Sequence, residues 1–167
     1  MLRMPGFFMP DMKEVMRSPL SMTAADQRLW RVPAACSLAW ALFMLWGCLN
    51  ETGASGGLIL RLFPFLNGMA YADKLVHASL HGVLATLLWW AAVLRARSLG
   101  RAWTLAQAAC VVGLCAVYGG LIEGLQSFLT VTRGAEWLDA LANTLGAGLA
   151  VLFWQRLGSR WLYSSKI

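Results

Sequence analysis

The segment YADKLVHASLHGVLATLLWWAAVL, residues 71–94, places ionisable side chains at the start of a long apolar run. Asp73, His77 and His81 recur every four residues, so a helix presents them on one face. Residues 82–94 carry no charge, and a run of this length and composition predicts a transmembrane helix. Because an ionisable group is costly in lipid, these three side chains are expected to face partners on other helices.

The composition of the chain excludes an ordinary soluble domain. The 167 residues are 59% hydrophobic and 13% charged, with a mean hydropathy of +0.59, whereas soluble domains are about 25% charged. The apolar residues form blocks near the ~20 residues that cross a bilayer. We therefore predict an all-α, four-helix transmembrane bundle with spans at 32–49, 75–94, 103–128 and 138–157.

The first span has an alternative interpretation as the apolar region of a signal peptide, with Ala54 and Gly56 near a cleavage site. About thirty residues precede it, however, and signal peptides begin with a short basic segment, so a permanent span is favoured. Residues 1–31 are rich in methionine and proline without a sustained period, and they are predicted to be a disordered tail. Residues 32–158 would form the membrane domain, and residues 159–167 a second tail.

Basic residues near the spans are distributed unequally between the two sides. One side of the predicted membrane domain has nine basic residues: Arg17, Arg28, Arg31, Arg95, Arg97, Arg101, Arg156, Arg160 and Lys166. The other side has three basic residues: Arg61, Lys74 and Arg133. Because positive charge stays cytoplasmic, both termini are predicted to be cytoplasmic. Anionic lipid headgroups suffice as partners for this charge, so no nucleic-acid partner is expected.

A second set of polar residues lies at the predicted outer ends of spans two to four. It comprises Asp73, Lys74, His77 and His81, then Glu123 and Gln126, then Arg133 and Glu136 in the following loop, then Asp139 and Asn143. Glu123 stands between Ile122 and Gly124, where a surface position does not explain it. Single members have ordinary explanations, such as a helix cap for Asp73 or interhelical hydrogen bonding for Asn143. Together they predict one shared pocket in the outer leaflet.

Three motifs in this set resemble the VanZ-like family of bacterial membrane proteins. They are DKLVH at residues 73–77, YGGLIEGLQ at residues 118–126 and R..E..D...N..G at residues 133–146. The resemblance covers about residues 71–148, although Ala78 and His81 stand where the family often has aromatic residues. It implies a multipass protein of the bacterial cytoplasmic membrane that acts at the cell envelope. The founding member of the family is associated with low-level resistance to teicoplanin.

Three functions remain open for the predicted pocket, and whether it is an enzyme is undecided. The first is binding or modification of an anionic lipid-linked envelope precursor, held by Lys74, Gln126, Arg133 and Asn143, with proton transfer by Asp73, His77, Glu123 and Asp139. The second is a divalent metal site formed by the same four proton-transfer residues, Asp73, His77, Glu123 and Asp139. Lys74 and Arg133 compete for the same carboxylates, so no cofactor is expected. The third is a structural role, in which the charges pair with one another and the bundle is a scaffold or binds a partner.

The four cysteines add no further site to these alternatives. They lie inside the predicted spans without a CxxC spacing, at positions 36, 48, 110 and 115. Cysteine at such positions is usually a small packing residue, so neither a disulfide nor a cysteine-bound zinc is expected.

Overall fold

Four helices make up the described part of the chain. The computed structural model describes residues 28–49, 69, 71–129 and 136–164, with side chains of the last helix to residue 157. The helices are α1 (Arg31–Leu49), α2 (Ala72–Ser98), α3 (Leu105–Leu129) and α4 (Trp137–Ser164). All four are long and apolar enough to cross a membrane, α4 over Trp137–Leu157. The predicted all-α transmembrane bundle is confirmed.

The helices α2 and α4 extend beyond their apolar spans. The predicted span 75–94 lies within α2, which starts at Ala72 and continues to Ser98. Its first turn contains Asp73 and its last turn contains Arg95 and Arg97, which favours helix at both ends because these charges oppose the helix dipole. Hydropathy therefore marks the part of the helix that suits lipid, and not the ends of the helix itself.

The central element is α2, which contacts each of the other helices and packs most extensively against α4. This contact depends on a glycine. A Cβ atom added at Gly146 would overlap the backbone of Ala78, at 2.6 Å from its carbonyl carbon. On the other side, a Cβ at Gly82 would lie 3.5 Å from the Gly146 carbonyl oxygen. The two backbones thus approach as closely as small residues allow.

The spacing of Gly120 and Gly124 in the sequence predicts that spans three and four meet through small residues, and α3 and α4 do pack against each other. The sequence pattern Gly120–Gly124 indicated the contact surface on α3, but a Cβ at either position would meet no atom within 4 Å among the described residues. The contact uses Gly119, where a Cβ would lie 2.7 Å from Asn143 Nδ2. Gly146 faces α2 and not α3. A shift of one residue rotates the contact by about 100° around the helix.

The first helix is part of the bundle. Met44 is 1% exposed, the Trp40 indole N–H donates to the Leu80 carbonyl at 3.0 Å, and the Tyr118 hydroxyl donates to the Ala41 carbonyl at 2.5 Å. These contacts join α1 to both α2 and α3.

Four tryptophans pack at the end of the bundle that contains the C-terminus of α2. Their ring centroids are 5.2 to 5.9 Å apart in the pairs that involve Trp89 or Trp90, with Trp103 and Trp154 as the other members. The Trp154 indole N–H donates to Thr86 Oγ1 at 3.1 Å. The N-terminus of α2 lies at the other end, so the bundle has an aromatic end and a polar end.

Candidate functional site

The outer part of the polar end is organised around Lys74, in the first turns of α2. Its Nζ lies 2.6 Å from Asp73 Oδ2 and 2.7 Å from Asp139 Oδ1, and it also pairs with Glu136. The side chains of Asp73 and Glu136 are more than half exposed, whereas that of Asp139 is 11% exposed. Lys74 therefore connects an exposed acidic rim, Asp73 and Glu136, to the interior of the bundle.

Three side chains from three different helices meet below this rim, and we call them the buried triad: His77 on α2, Glu123 on α3 and Asp139 on α4. His77 Nδ1 lies 3.8 Å from Glu123 Oε1, and His77 Nε2 lies 3.8 Å from Asp139 Oδ2. Both distances exceed a hydrogen bond. The imidazole thus stands between two carboxylates, and all three residues are buried.

The residues around the buried triad hold it in place. Asn143 Oδ1 lies 3.2 Å from His77 Nδ1, and the Glu136 backbone N–H donates to Glu123 Oε2 at 3.4 Å. Two polar atoms, Glu123 Oε1 and Asn143 Nδ2, have no hydrogen-bond partner within the described part of the chain. A buried polar atom in this state costs about 1–3 kcal/mol, which indicates that the site has capacity for a ligand.

His81 continues the polar face of α2 one turn deeper. It is 1% exposed, and its Nδ1 lies 3.2 Å from the His77 carbonyl oxygen. Because a carbonyl oxygen only accepts, this hydrogen bond requires the proton on Nδ1. The ring also lies 6.3 Å from that of Tyr118. The sequence left the role of His81 open, and the structure places it beneath the buried triad.

The structure brings most of the predicted site residues together. Lys74, His77, Glu123, Asp139 and Asn143 form one connected cluster. Asp73 lies on the rim beside Lys74. The Gln126 amide donates to the Cys48 carbonyl on α1 at 2.9 Å. Arg133 falls in residues 130–135, outside the described residues.

The predicted binding set omits two residues that matter here. Glu136 is a partner of Lys74, and its backbone contacts Glu123. Its position three residues before Asp139 was the available signal, since this spacing brings two side chains to one face at the start of a helix. Gly119 provides the space for Asn143, and the sequence offered no means to choose it over Gly120.

The cluster combines a histidine with an excess of acid, and this limits its chemistry. Its described members are four carboxylates, one ammonium and one imidazole, namely Asp73, Glu123, Glu136, Asp139, Lys74 and His77. An imidazole beside carboxylates is suited to proton exchange. The same nitrogen and oxygen atoms are also ligands for divalent metals.

Comparison with known proteins adds no further assignment. No protein-family model matches the sequence, and no curated protein and no solved structure matches it. The similarity to VanZ-like proteins stays a prediction based on the three motifs.

Replacement of Gly119 by alanine tests how the site is supported. The added methyl group would displace the Asn143 side chain, and we expect a loss of about 1–3 kcal/mol in unfolding free energy, as for other overpacked positions. The measurement is thermal unfolding of the purified protein in detergent micelles. Gly120→Ala is the matched control, because a Cβ there would meet nothing within 4 Å among the described residues and alanine favours helix over glycine by about 1 kcal/mol. Equal unfolding temperatures for the two variants would contradict the Gly119–Asn143 contact.

Proposed function

We propose that the chain is a VanZ-like integral membrane protein that acts at the bacterial cell envelope. Its polar end would bind or modify an anionic lipid-linked envelope precursor, and this activity would increase tolerance of teicoplanin-type glycopeptides. One observation carries the proposal: His77, Glu123 and Asp139 meet in the interior of the bundle, directly below Lys74. Three helices contribute ionisable groups to one place, and such groups inside a membrane protein usually have a functional role.

The rim offers a route by which an anionic headgroup could reach Lys74. Asp73 and Glu136 have exposed side chains, so their ion pairs with Lys74 contribute only about 0–1 kcal/mol each. A phosphate that approaches from water would replace these two carboxylates as the partner of Lys74. Arg133, three residues before Glu136 in the sequence, would add a second positive charge. His77 would then lie one helical turn below the bound headgroup.

The proposed location is the cytoplasmic membrane, with the polar end on the extracytoplasmic side and both termini in the cytoplasm. The distribution of basic residues supports this orientation, and the predicted envelope substrate would be accessible from that side. The lipid bilayer is the principal partner, in line with the large apolar side chains exposed on all four helices.

The experiment measures tolerance and folding separately. We would express the protein in a glycopeptide-sensitive bacterial host and determine the teicoplanin concentration that inhibits growth, together with the folded yield in the membrane. His77→Asn and Glu123→Gln are expected to abolish the gain in tolerance with little change in yield. Ser79→Ala is the control on the same helix, because Ser79 is exposed and its hydroxyl donates to the carbonyl of Leu75 in its own helix. A normal tolerance in both site variants would refute the proposal.

A structural role is the second candidate, and a specific observation favours it. Lys74 of α2 pairs with Asp139 of α4 and has two further carboxylate partners within the molecule, so these ion pairs join the two helices without a ligand. In that case the bundle would be a scaffold for a partner protein. Tolerance and folded yield would then decrease in parallel across the site variants, whereas a binding or catalytic site requires that they separate.

A further inference from the structure

We propose that the buried triad, His77, Glu123 and Asp139, is a binding site for one divalent cation of the zinc or manganese type. The inference deepens the proposed function and rests on the same site, because the cation would be the group that allows an acidic pocket to accept a phosphate. Its test measures metal binding alone, so it can fail while the proposed function holds.

The donor atoms of the triad lie close enough to one another to share one ion. One ligand atom from each member of the triad lies within 4.8 Å of the other two. The two contacts of His77 with carboxylate oxygens are both 3.8 Å, too long for hydrogen bonds. A metal at about 2.0–2.2 Å from nitrogen and oxygen ligands brings those ligands to roughly 3.0–3.4 Å of one another. Small side-chain rotations would therefore close the site around an ion.

The cluster has more carboxylates than cations among the described residues. Within the described part of the chain, the only cation in contact with the four carboxylates of the cluster is Lys74, and it lies on the rim side. Glu123 and Asp139 approach different ring nitrogens of His77, and a carboxylate oxygen of one lies within 4.8 Å of a carboxylate oxygen of the other. Like charges in an interior repel one another strongly and do not remain without compensation. A divalent cation between Glu123 and Asp139 would provide that compensation.

An independent observation points to a ligand at the same place. Glu123 is 5% exposed, and its Oε1 has no hydrogen-bond partner among the described residues while it faces His77 Nδ1. Its other oxygen accepts the Glu136 backbone N–H. The carboxylate is thus anchored through one oxygen, and the second oxygen is directed into the triad.

The surrounding contacts resemble those that support metal ligands in proteins. A histidine that binds a metal commonly uses its other ring nitrogen in a hydrogen bond that fixes the ring, and His77 Nδ1 lies 3.2 Å from Asn143 Oδ1. Nε2 then faces Asp139. One imidazole with two carboxylates suits zinc or manganese, since calcium and magnesium prefer oxygen ligands alone. Water or a phosphate oxygen would complete the coordination.

The experiment uses the full-length protein in detergent micelles, stripped of metal with a chelator. Zinc chloride and manganese chloride are titrated separately by calorimetry, and we expect one equivalent of at least one of them to bind and to raise the unfolding temperature. Glu123→Gln and His77→Asn should weaken binding at least about tenfold. Ser79→Ala is the control on the same helix, because Ser79 is exposed and its hydroxyl donates to the Leu75 carbonyl, and this variant should bind as the parent protein does.

The inference is overturned if the parent protein takes up neither metal, or if the triad variants and Ser79→Ala bind the metal equally. A further outcome concerns Arg133, which is the alternative cation. If Arg133→Gln binds a metal that the parent protein refuses, the arginine and not an ion balances the triad. Because Glu123→Gln preserves the size of the side chain, its monodispersity on gel filtration shows whether lost binding reflects lost folding.

Discussion

Gly146→Ala is expected to prevent the bundle from folding normally, with a loss of more than about 3 kcal/mol. Overpacking usually costs about 1–3 kcal/mol because side chains can rotate away. Here the new methyl group would meet the backbone of Ala78, which cannot move without separating α2 from α4. Since the whole stability of a domain is about 5–15 kcal/mol, we expect a strong reduction in folded yield. Gel filtration of the detergent-solubilised protein measures it.

Gly148→Ala is the control for this experiment. It makes the same substitution two residues later in the same helix, where a Cβ would meet nothing within 4 Å among the described residues. Because alanine favours helix over glycine, this variant should be unchanged or more stable by up to about 1 kcal/mol. If Gly146→Ala folded as well as Gly148→Ala, the close approach of α2 and α4 would be incorrect.

The second large effect is expected for Lys74→Met, which retains the length of the side chain and removes its charge. Asp139 would keep a buried carboxylate without its counter-ion, at 11% exposure. Removal of one partner from a buried pair costs about 3–5 kcal/mol, and we expect the lower end because the lysine itself is 16% exposed. Chemical or thermal unfolding in micelles would measure the loss.

A double variant distinguishes the loss of stability caused by breaking the ion pair from a loss caused by general damage to the site. If the pair with Asp139 dominates, Lys74→Met combined with Asp139→Asn should recover much of the lost stability, because position 139 then has no buried charge that lacks its partner. Asp73→Asn removes a more exposed partner of the same lysine and should cost less than about 1 kcal/mol. A double variant as unstable as the sum of the two single variants would argue against this ion pair.

The membrane spans were predictable because lipid imposes a simple requirement on sequence. A helix that crosses a bilayer needs about 20 apolar residues, and this pattern can be counted without knowledge of any contact. The inward face of α2 was predictable for a similar reason, since the fourfold spacing of His77 and His81 fixes their common direction. Glu123 also indicated the pocket, because no position facing lipid would tolerate it at this depth.

The pairing of individual residues within the pocket was not predictable. Lys74 follows Asp73 in sequence, but its contacts with Glu136 and Asp139 depend on how α4 lies against α2. The choice of Gly119 over Gly120 depends on the rotation of α3 about its own axis. Such details follow from three-dimensional packing, which a single sequence does not encode in any local pattern. The coarse location of the site was therefore accessible, and its internal contacts were not.

The close packing of α2 on α4 restricts which helix could move if the pocket opens. His77 and Asp139 belong to these two helices, and the close approach of Gly146 to Ala78 favours movement of the two helices as one unit. Glu123 is carried by α3, which packs less extensively on either partner. A motion that admits a ligand to the pocket would therefore displace α3, while α2 and α4 keep their relative positions.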